Sequence, residues 1–499
     1  MFGLFSSDIE LEYSEQVAEV KQVVEVEPVE TEPIEVEQVV EVERVIEVEQ
    51  LNFGPGEGLE IHCNPEVDKD RNNVPDNLDV EGEVNWSNCD LSWLNLSNLE
   101  LAGANLSGSG LYESILSNTN LSGANLSGAQ IYKADISNTN FKYANLSYAN
   151  LCGAAHTHPR PFDFTGADLS YADLDHASLP FANLTDTIIT YTNFHDTNLA
   201  GVDISYMNLT GTILTGSNLT NANLTGVDLS GKDLTGTILA QADLSEISLT
   251  GANLTEADLF GVSLSGKDLT GTTLTRTDFS KASLIGVDLS NKDLTGTILT
   301  GTNLTDANLT GVDLSGKNLT GTIFRNVDLS DMDLTWTILK QADLTDANLT
   351  GTILTDADLS QANLTGADLS GKDLTGTILK KADLTNSILT GVDLSGKDLT
   401  MVIFVGVDLS GMDLTDHTLR GADLTDTNLT GTILTDADLF KSKLVGANLS
   451  GKDLTGAILK QADLTDANLT GADLTGAVLI GANLTDATLN CTGHPVCAQ

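Results

Sequence analysis

Aromatic rings make up only 5% of this 499-residue chain and prolines number nine. A globular core of that size would need more large rings, so several ordinary folded domains are excluded. Positive charge is also scarce: 24 Lys and Arg stand against 71 Asp and Glu, a formal net charge of −47. Direct binding to nucleic acid or to an anionic membrane is thereby disfavoured, and basic partners are favoured. No run approaches the roughly 20 apolar residues of a spanning helix. The opening MFGLFSSDIELEYSEQ has neither the basic nor the long apolar region of a secretory signal, so the default expectation is cytoplasmic, with an extracellular setting as the alternative. The five cysteines, Cys63, Cys89, Cys152, Cys491 and Cys497, fit no zinc spacing. Cys491 and Cys497 are close enough to close a small disulfide loop, and two separate thiols are the equal alternative. Phosphate-binding glycine loops, H-E-x-x-H and G-x-S-x-G are all missing, so no enzyme activity and no catalytic residue is expected.

What is present begins with an acidic arm. Residues 1–50 hold fifteen acidic residues against Lys21 and Arg44, and Gln22 to Gln50 alternate Val or Ile with Glu. Alternation signals a strand, but like charges crowd one face and Pro28 and Pro33 interrupt pairing. Residues 1–60 therefore read as a disordered arm. A linker over 61–84 follows. Within it, DKDRNNVPDNLD sets oxygens at Asp68, Asp70, Asn72, the Val74 carbonyl, Asp76 and Asp79, loop positions 1, 3, 5, 7, 9 and 12 of a calcium-wrapping loop. The stretch resembles the calcium loops of thrombospondin type 3 repeats and EF-hands, although Asn73 replaces the usual glycine and Asp79 has a short arm. It reads equally well as an acidic linker. Calcium at this loop is the one cofactor the sequence suggests.

From Asn85 a new rule takes over. An apolar residue, usually Leu, recurs at every fifth position from Leu91 to Leu151, and again from Phe164 to Leu489. Around each lies a small residue, Asp or Asn, Leu, Ser or Thr, then a residue of any kind, as in Ala167-Asp168-Leu169-Ser170-Tyr171. Period five suits neither a helix nor a strand, so a corner must fall in every repeat. The Leu and the small residue two before it point inward, and the residues flanking the Leu point outward.

This pattern resembles the pentapeptide-repeat family, A-(D/N)-L-x-x. The resemblance implies an all-β fold, a right-handed quadrilateral β-helix with four repeats per coil and roughly 20 coils, about 95 Å long at strand spacing. An 80-residue duplication, 286–365 onto 366–445, equals four coils of twenty and favours four sides over three. The organisation expected is a first repeat segment at 85–151 with Trp86, Trp93 and Cys89 as its cap, and a register-breaking loop at 152–163. The main helix follows at 164–490, and a cap or tail at 491–499.

Three irregularities stand out. His156 and His158 in the loop invite a metal reading with His176 or His195, against incidental solvent histidines. Seven lysines, Lys232, Lys267, Lys292, Lys317, Lys372, Lys397 and Lys452, occupy the inward small slot in G-K-D-L or, at Lys292 and Lys317, in N-K-D-L and G-K-N-L, and their ammonium groups are expected to reach a neighbouring Asp or carbonyl. Ile238, Ile298, Ile338, Ile378 and Ile458 replace the outward Asp or Asn and share one face of a four-sided coil, as scattered surface apolars or, alternatively, as a weak lateral contact stripe.

The function expected is a non-catalytic structural or interaction rod that offers acidic faces to a basic protein partner. The family resemblance implies an alternative, DNA mimicry that inhibits or protects a type II topoisomerase such as gyrase. Against it, the family's paired members join through a C-terminal helix, which the tail NCTGHPVCAQ is too short to form. A calcium-clamped cell-surface element is a further alternative, and ice binding by the Ser and Thr columns another, opposed by the interspersed Asp and Asn.

Overall fold

The protein is described by a computed structural model over residues 84–151 and 163–498. All of these belong to the second of the chain's two units, Leu59–Gln499; the first, Met1–Gly58, lies outside them, and with it the arm.

Most repeats contribute one backbone bridge, at the Asp or Asn position, and the bridges are parallel, nearly all with partners twenty residues apart, as in Asp203↔Asn223 and Asp423↔Lys443. Twenty residues are four repeats, so each coil has four walls. We label them by their core positions: wall A at Phe164, Leu184 and every twentieth residue after, wall B from Leu169, wall C from Leu174 and wall D from Leu179. The core is a column of leucines, Leu314, Leu319 and Leu329 among them, with Phe279, Phe324 and Phe404 at the same positions, all inaccessible to solvent. The small residues two before them, such as Ala342, Ala362 and Ala382, are equally buried. Inward pointing at both positions is thus as the period requires.

The fifth position, which the sequence leaves open, turns out to be the most constrained backbone in the repeat. From Asn88 to Asp486 every described residue two after the core position has a positive φ, between 49° and 75°. Each wall ends in a turn closed by an N–H three residues on, as when Ala342 donates to the Leu339 carbonyl at 3.0 Å. A left-handed third residue is what such a turn needs, and Gly, Asn and Asp supply it most easily. Some glycines are fixed twice over. A Cβ on Gly211 would run into the ring of Tyr191, one coil earlier, whereas one on Gly231 would meet nothing. Both substitutions, Gly211→Ala and Gly231→Ala, carry the left-handed penalty of about 1–2 kcal/mol, and Gly211→Ala is expected to lower the thermal midpoint further because the Tyr191 ring must also move; equal midpoints would show that the ring is indifferent.

The register break is an insertion rather than an end to the stack. Asn140, Asn145 and Asn150 bridge Asp168, Asp173 and Ser178, twenty-eight residues on, and Asp163 resumes the twenty-residue step with Asn183. One coil thus takes eight residues more than the others.

At the first coil Trp86 and Cys89 are buried, but Trp93 is not a cap: it sits on a corner with φ 59°, 67% exposed, edge-on to Tyr112. At the other end Cys491 and Cys497 form a disulfide around a short 3₁₀ helix, Pro495–Ala498, and Thr492 bridges Asp473. Val496, Cys491 and Cys497 pack against the last leucines.

Candidate interaction surface

Outward chemistry is set by two columns per wall. The Asp or Asn before each Leu does more than carry charge: its Oδ1 accepts the backbone N–H two residues on, and often that residue's hydroxyl as well. On wall C, Thr295 N–H donates to Asp293 at 2.9 Å, Ser315 N–H and Oγ to Asp313 at 2.9 and 2.7 Å, and Thr415 N–H and Oγ1 to Asp413 at 3.0 and 2.6 Å. These donors favour the ionised form. The hydroxyl and then the backbone N–H of Thr295, Ser315 and Thr415 hold Asp293, Asp313 and Asp413 below the usual carboxylate range. The carboxylates are thus structural braces that keep their charge.

Walls differ in how much of that charge is free. On wall B asparagine amides reach down one coil and donate to the aspartate beneath, Asn308 to Asp288 at 2.9 Å, Asn348 to Asp328 at 2.8 Å and Asn428 to Asp408 at 2.8 Å. Wall C is denser in acid, with Asp293, Asp313 and Asp333 in three successive coils and Asp373, Asp393 and Asp413 in three more. Its successive carboxylates stand one coil apart, about 4.8 Å.

The slot lysines find carbonyls rather than aspartates. Lys292 Nζ donates to the Leu269 carbonyl at 2.6 Å and to Thr272 O and Oγ1 at 3.0 and 3.2 Å. Lys317 Nζ reaches the Leu294 carbonyl at 2.7 Å. Threonines in the same slot use the same acceptor, twenty-three residues back, as Thr302 Oγ1 does with the Phe279 carbonyl at 2.7 Å. His417 is a third variant, with Nε2 2.9 Å from the Leu394 carbonyl and Nδ1 2.9 Å from that of Thr415. Burial pushes the ammonium groups of Lys232, Lys292, Lys317, Lys372, Lys397 and Lys452 down from the ordinary lysine value.

The calcium-loop residues Asp68, Asp70, Asn72, Val74, Asp76 and Asp79 lie outside the described residues, as do His156 and His158. His176 and His195 come together around Asp196, whose Oδ2 is 3.4 Å from His176 Nε2 and 3.3 Å from His195 Nε2, while His176 Nδ1 is 2.9 Å from Asp175. Among the described residues no group of three or more His, Cys, Asp or Glu is placed to hold a metal. Cys89 is disulfide-bonded. No helix among the described residues is long and apolar enough to cross a membrane.

Sequence reasoning found the five isoleucines but missed what stands beside them. Ile238, Ile298, Ile338, Ile378 and Ile458 do share wall D, and Ile338 and Ile378 are 41% and 47% exposed. Two residues after three of them come Lys340, Lys380 and Lys460, with Arg420 completing the series, all exposed. The signal was the recurrence of I-L-K at 338–340, 378–380 and 458–460, in steps that are multiples of forty.

A family model described as pentapeptide repeats (8 copies) matches residues 83–154, 163–231, 233–266, 268–301 and 302–492. No curated protein matches the chain by sequence. Among solved structures it is similar to a trypsin-treated variant of QnrB1, a plasmid-mediated fluoroquinolone resistance protein, at 18% identity over 41% of this chain and 88% of that one, TM-score 0.23. It is also similar to HetL, a pentapeptide repeat protein involved in heterocyst differentiation regulation from the cyanobacterium Nostoc sp. strain PCC 7120, at 26% identity over 55% and 88%, TM-score 0.12. At these TM-scores the structural likeness adds nothing to the coil geometry. The family match spans most of the sequence, and the chain belongs to the pentapeptide-repeat family.

Proposed function

We propose that the protein is a non-catalytic interaction scaffold, a right-handed stack of roughly 20 coils, whose acidic walls bind a basic protein partner. The observation that carries this reading is the wall C column, where exposed aspartates stand at coil spacing and are held ionised by their own corners. A fixed row of like charges attracts an extended cationic segment without any pocket.

The test uses poly-L-lysine as a stand-in for a basic segment. Asn keeps the Oδ1 acceptor of the corner, so replacing Asp293, Asp313, Asp333, Asp373, Asp393 and Asp413 by Asn removes charge while preserving the brace. Six exposed pairs at a few tenths of a kcal/mol each predict affinity lower on the order of tenfold, with unchanged circular dichroism. Binding should also persist as pH falls toward about 4, because depressed carboxylates stay charged there. Undiminished binding by the sixfold variant would remove wall C from the reading.

The topoisomerase alternative needs a column of charge, and the asparagine amides on wall B leave wall C, with its runs of three aspartates on either side of Ile353, as the place where it would act. A gyrase supercoiling assay with added protein tests it directly. A second reading of compartment has its own support: paired Cys491 and Cys497 and the disulfide at Cys89 suit an oxidising environment, which favours the extracellular alternative.

A further inference from the structure

Wall D differs from the other three. Lys340, Lys380, Arg420 and Lys460 lie on it at intervals of forty residues, which is every second coil, or about 9.6 Å. In a chain of net charge −47 this is a local row of cations. Two are in ion pairs with the next coil, Lys380 with Asp398 at 3.7 Å and Arg420 with Asp438 at 3.0 Å, where Arg420 also lies over the Phe440 ring; the Lys380 and Arg420 side chains remain about half exposed. Exposed pairs of this kind contribute little and exchange readily. Beside the cations, in the same coils, are Ile338, Ile378 and Ile458, exposed where the other walls carry mostly Asp or Asn.

The opposite row exists on the same molecule, one wall away. Asp333, Asp373, Asp413 and Asp453 on wall C are also exposed and also forty residues apart. Both rows cover six coil spacings, about 29 Å. A wall cannot fold round onto its neighbour, so the two rows meet only between molecules. A globular acidic protein has no reason to present four carboxylates at this interval. A second stack of the same coils presents them by construction.

We infer that wall D of one copy docks laterally on wall C of a second copy of this chain, cation row on aspartate row, with the wall D isoleucines covered at the contact. The contact is heterologous, since each partner uses a different wall, so the second copy keeps its own wall D open for a third. This goes beyond the foreign basic partner proposed above: it stands on the cations of wall D, and it survives or fails whether or not poly-L-lysine binds.

The test is the mass of the full chain by sedimentation velocity and light scattering, from about 1 to 200 µM in buffers of about physiological and about 1 M salt, where the Debye length falls from about 8 to 3 Å. Expected is a species of at least twice the 52.6 kDa monomer at the higher concentrations, dissolving in high salt. The charge-reversed K340E/K380E/R420E/K460E chain should remain monomeric throughout, and so should D333N/D373N/D413N/D453N, whose corners keep their acceptor. Circular dichroism establishes that both variants fold. A wild-type chain that is monomeric over the whole range overturns the inference, and so does association that persists undiminished in both variants.

Discussion

Phe279→Ala is expected to lower the unfolding free energy by about 3–5 kcal/mol, while Phe279→Leu costs less than about 1.5 kcal/mol. Phe279 is inaccessible to solvent, and the residues one coil before and after it in the column are Leu259 and Leu299, also buried. Leucine is the standard occupant of that position, so the column has the shape to accept it. Alanine leaves a void that neighbours held by backbone bridges on every side cannot collapse to fill. Denaturant unfolding gives the two free energies, and hydrogen exchange should localise the loss to the adjoining coils, because each coil in a stack rests only on its neighbours. Equal losses for Ala and Leu would mean the column is shaped for the ring itself.

Lys452→Thr is expected to act in the opposite direction, stabilising the protein by about 0.5–2 kcal/mol at neutral pH, the scale of a single favourable substitution, because a buried charge without a charged partner costs stability. Lys452 is 8% exposed and donates to the Thr432 carbonyl at 3.2 Å. Burial lowers its ammonium pKa, with no aspartate offsetting the effect. Threonine in this slot brings the hydroxyl that Thr432 directs at the Leu409 carbonyl, at 2.9 Å, without the charge. The pH dependence follows from the sign of the shift. A lysine whose folded pKa lies below its unfolded value, about 10.4, penalises the folded state while it is charged. That penalty fades as pH rises through the folded pKa, so wild type gains stability toward pH 10 and the advantage of the variant shrinks. Lys292→Thr should gain less, because Asp268 and Asp288 partly counter its burial. Thermal melts of the three proteins between pH 7 and 10 decide the matter, and a destabilised Lys452→Thr would show that the ammonium contributes more than it costs.

Much of the architecture is legible because the period is rigid. Leu at every fifth residue sets which side chains point in, and the 80-residue duplication places Ile323 and Ile403 on wall A, four coils apart. The corner is the principal omission. A residue of any kind at the fifth position is a statement about side chains, whereas the constraint there is on φ; glycines such as Gly231, Gly266 and Gly316 were its visible trace. The same oversight assigned Trp93 to a cap, although counting two from Leu91 puts it on a corner. The role of the aspartates was half visible. Their outward position followed from the period, but the hydrogen bond from Oδ1 to the residue two ahead is a local competition that only backbone geometry reveals. The cation row on wall D needed walls before it could be seen, since Lys340 and Lys380 are neighbours only when the chain is wound at twenty residues per turn.

Winding at twenty also fixes how such a chain changes by insertion and deletion. Units of twenty lengthen it by one layer and leave every surface facing as before, which is what the duplication did four layers at a time. The eight-residue excess between Asn150 and its bridge partner Ser178 does not count, because the phase of the bridges is kept across it. Losing a single repeat of five within the stack is different in kind. Everything downstream would turn by a quarter, bringing the Lys340 series beneath residues that formerly sat above another wall. Compass bearing, more than length or composition, is the property this sequence has to conserve.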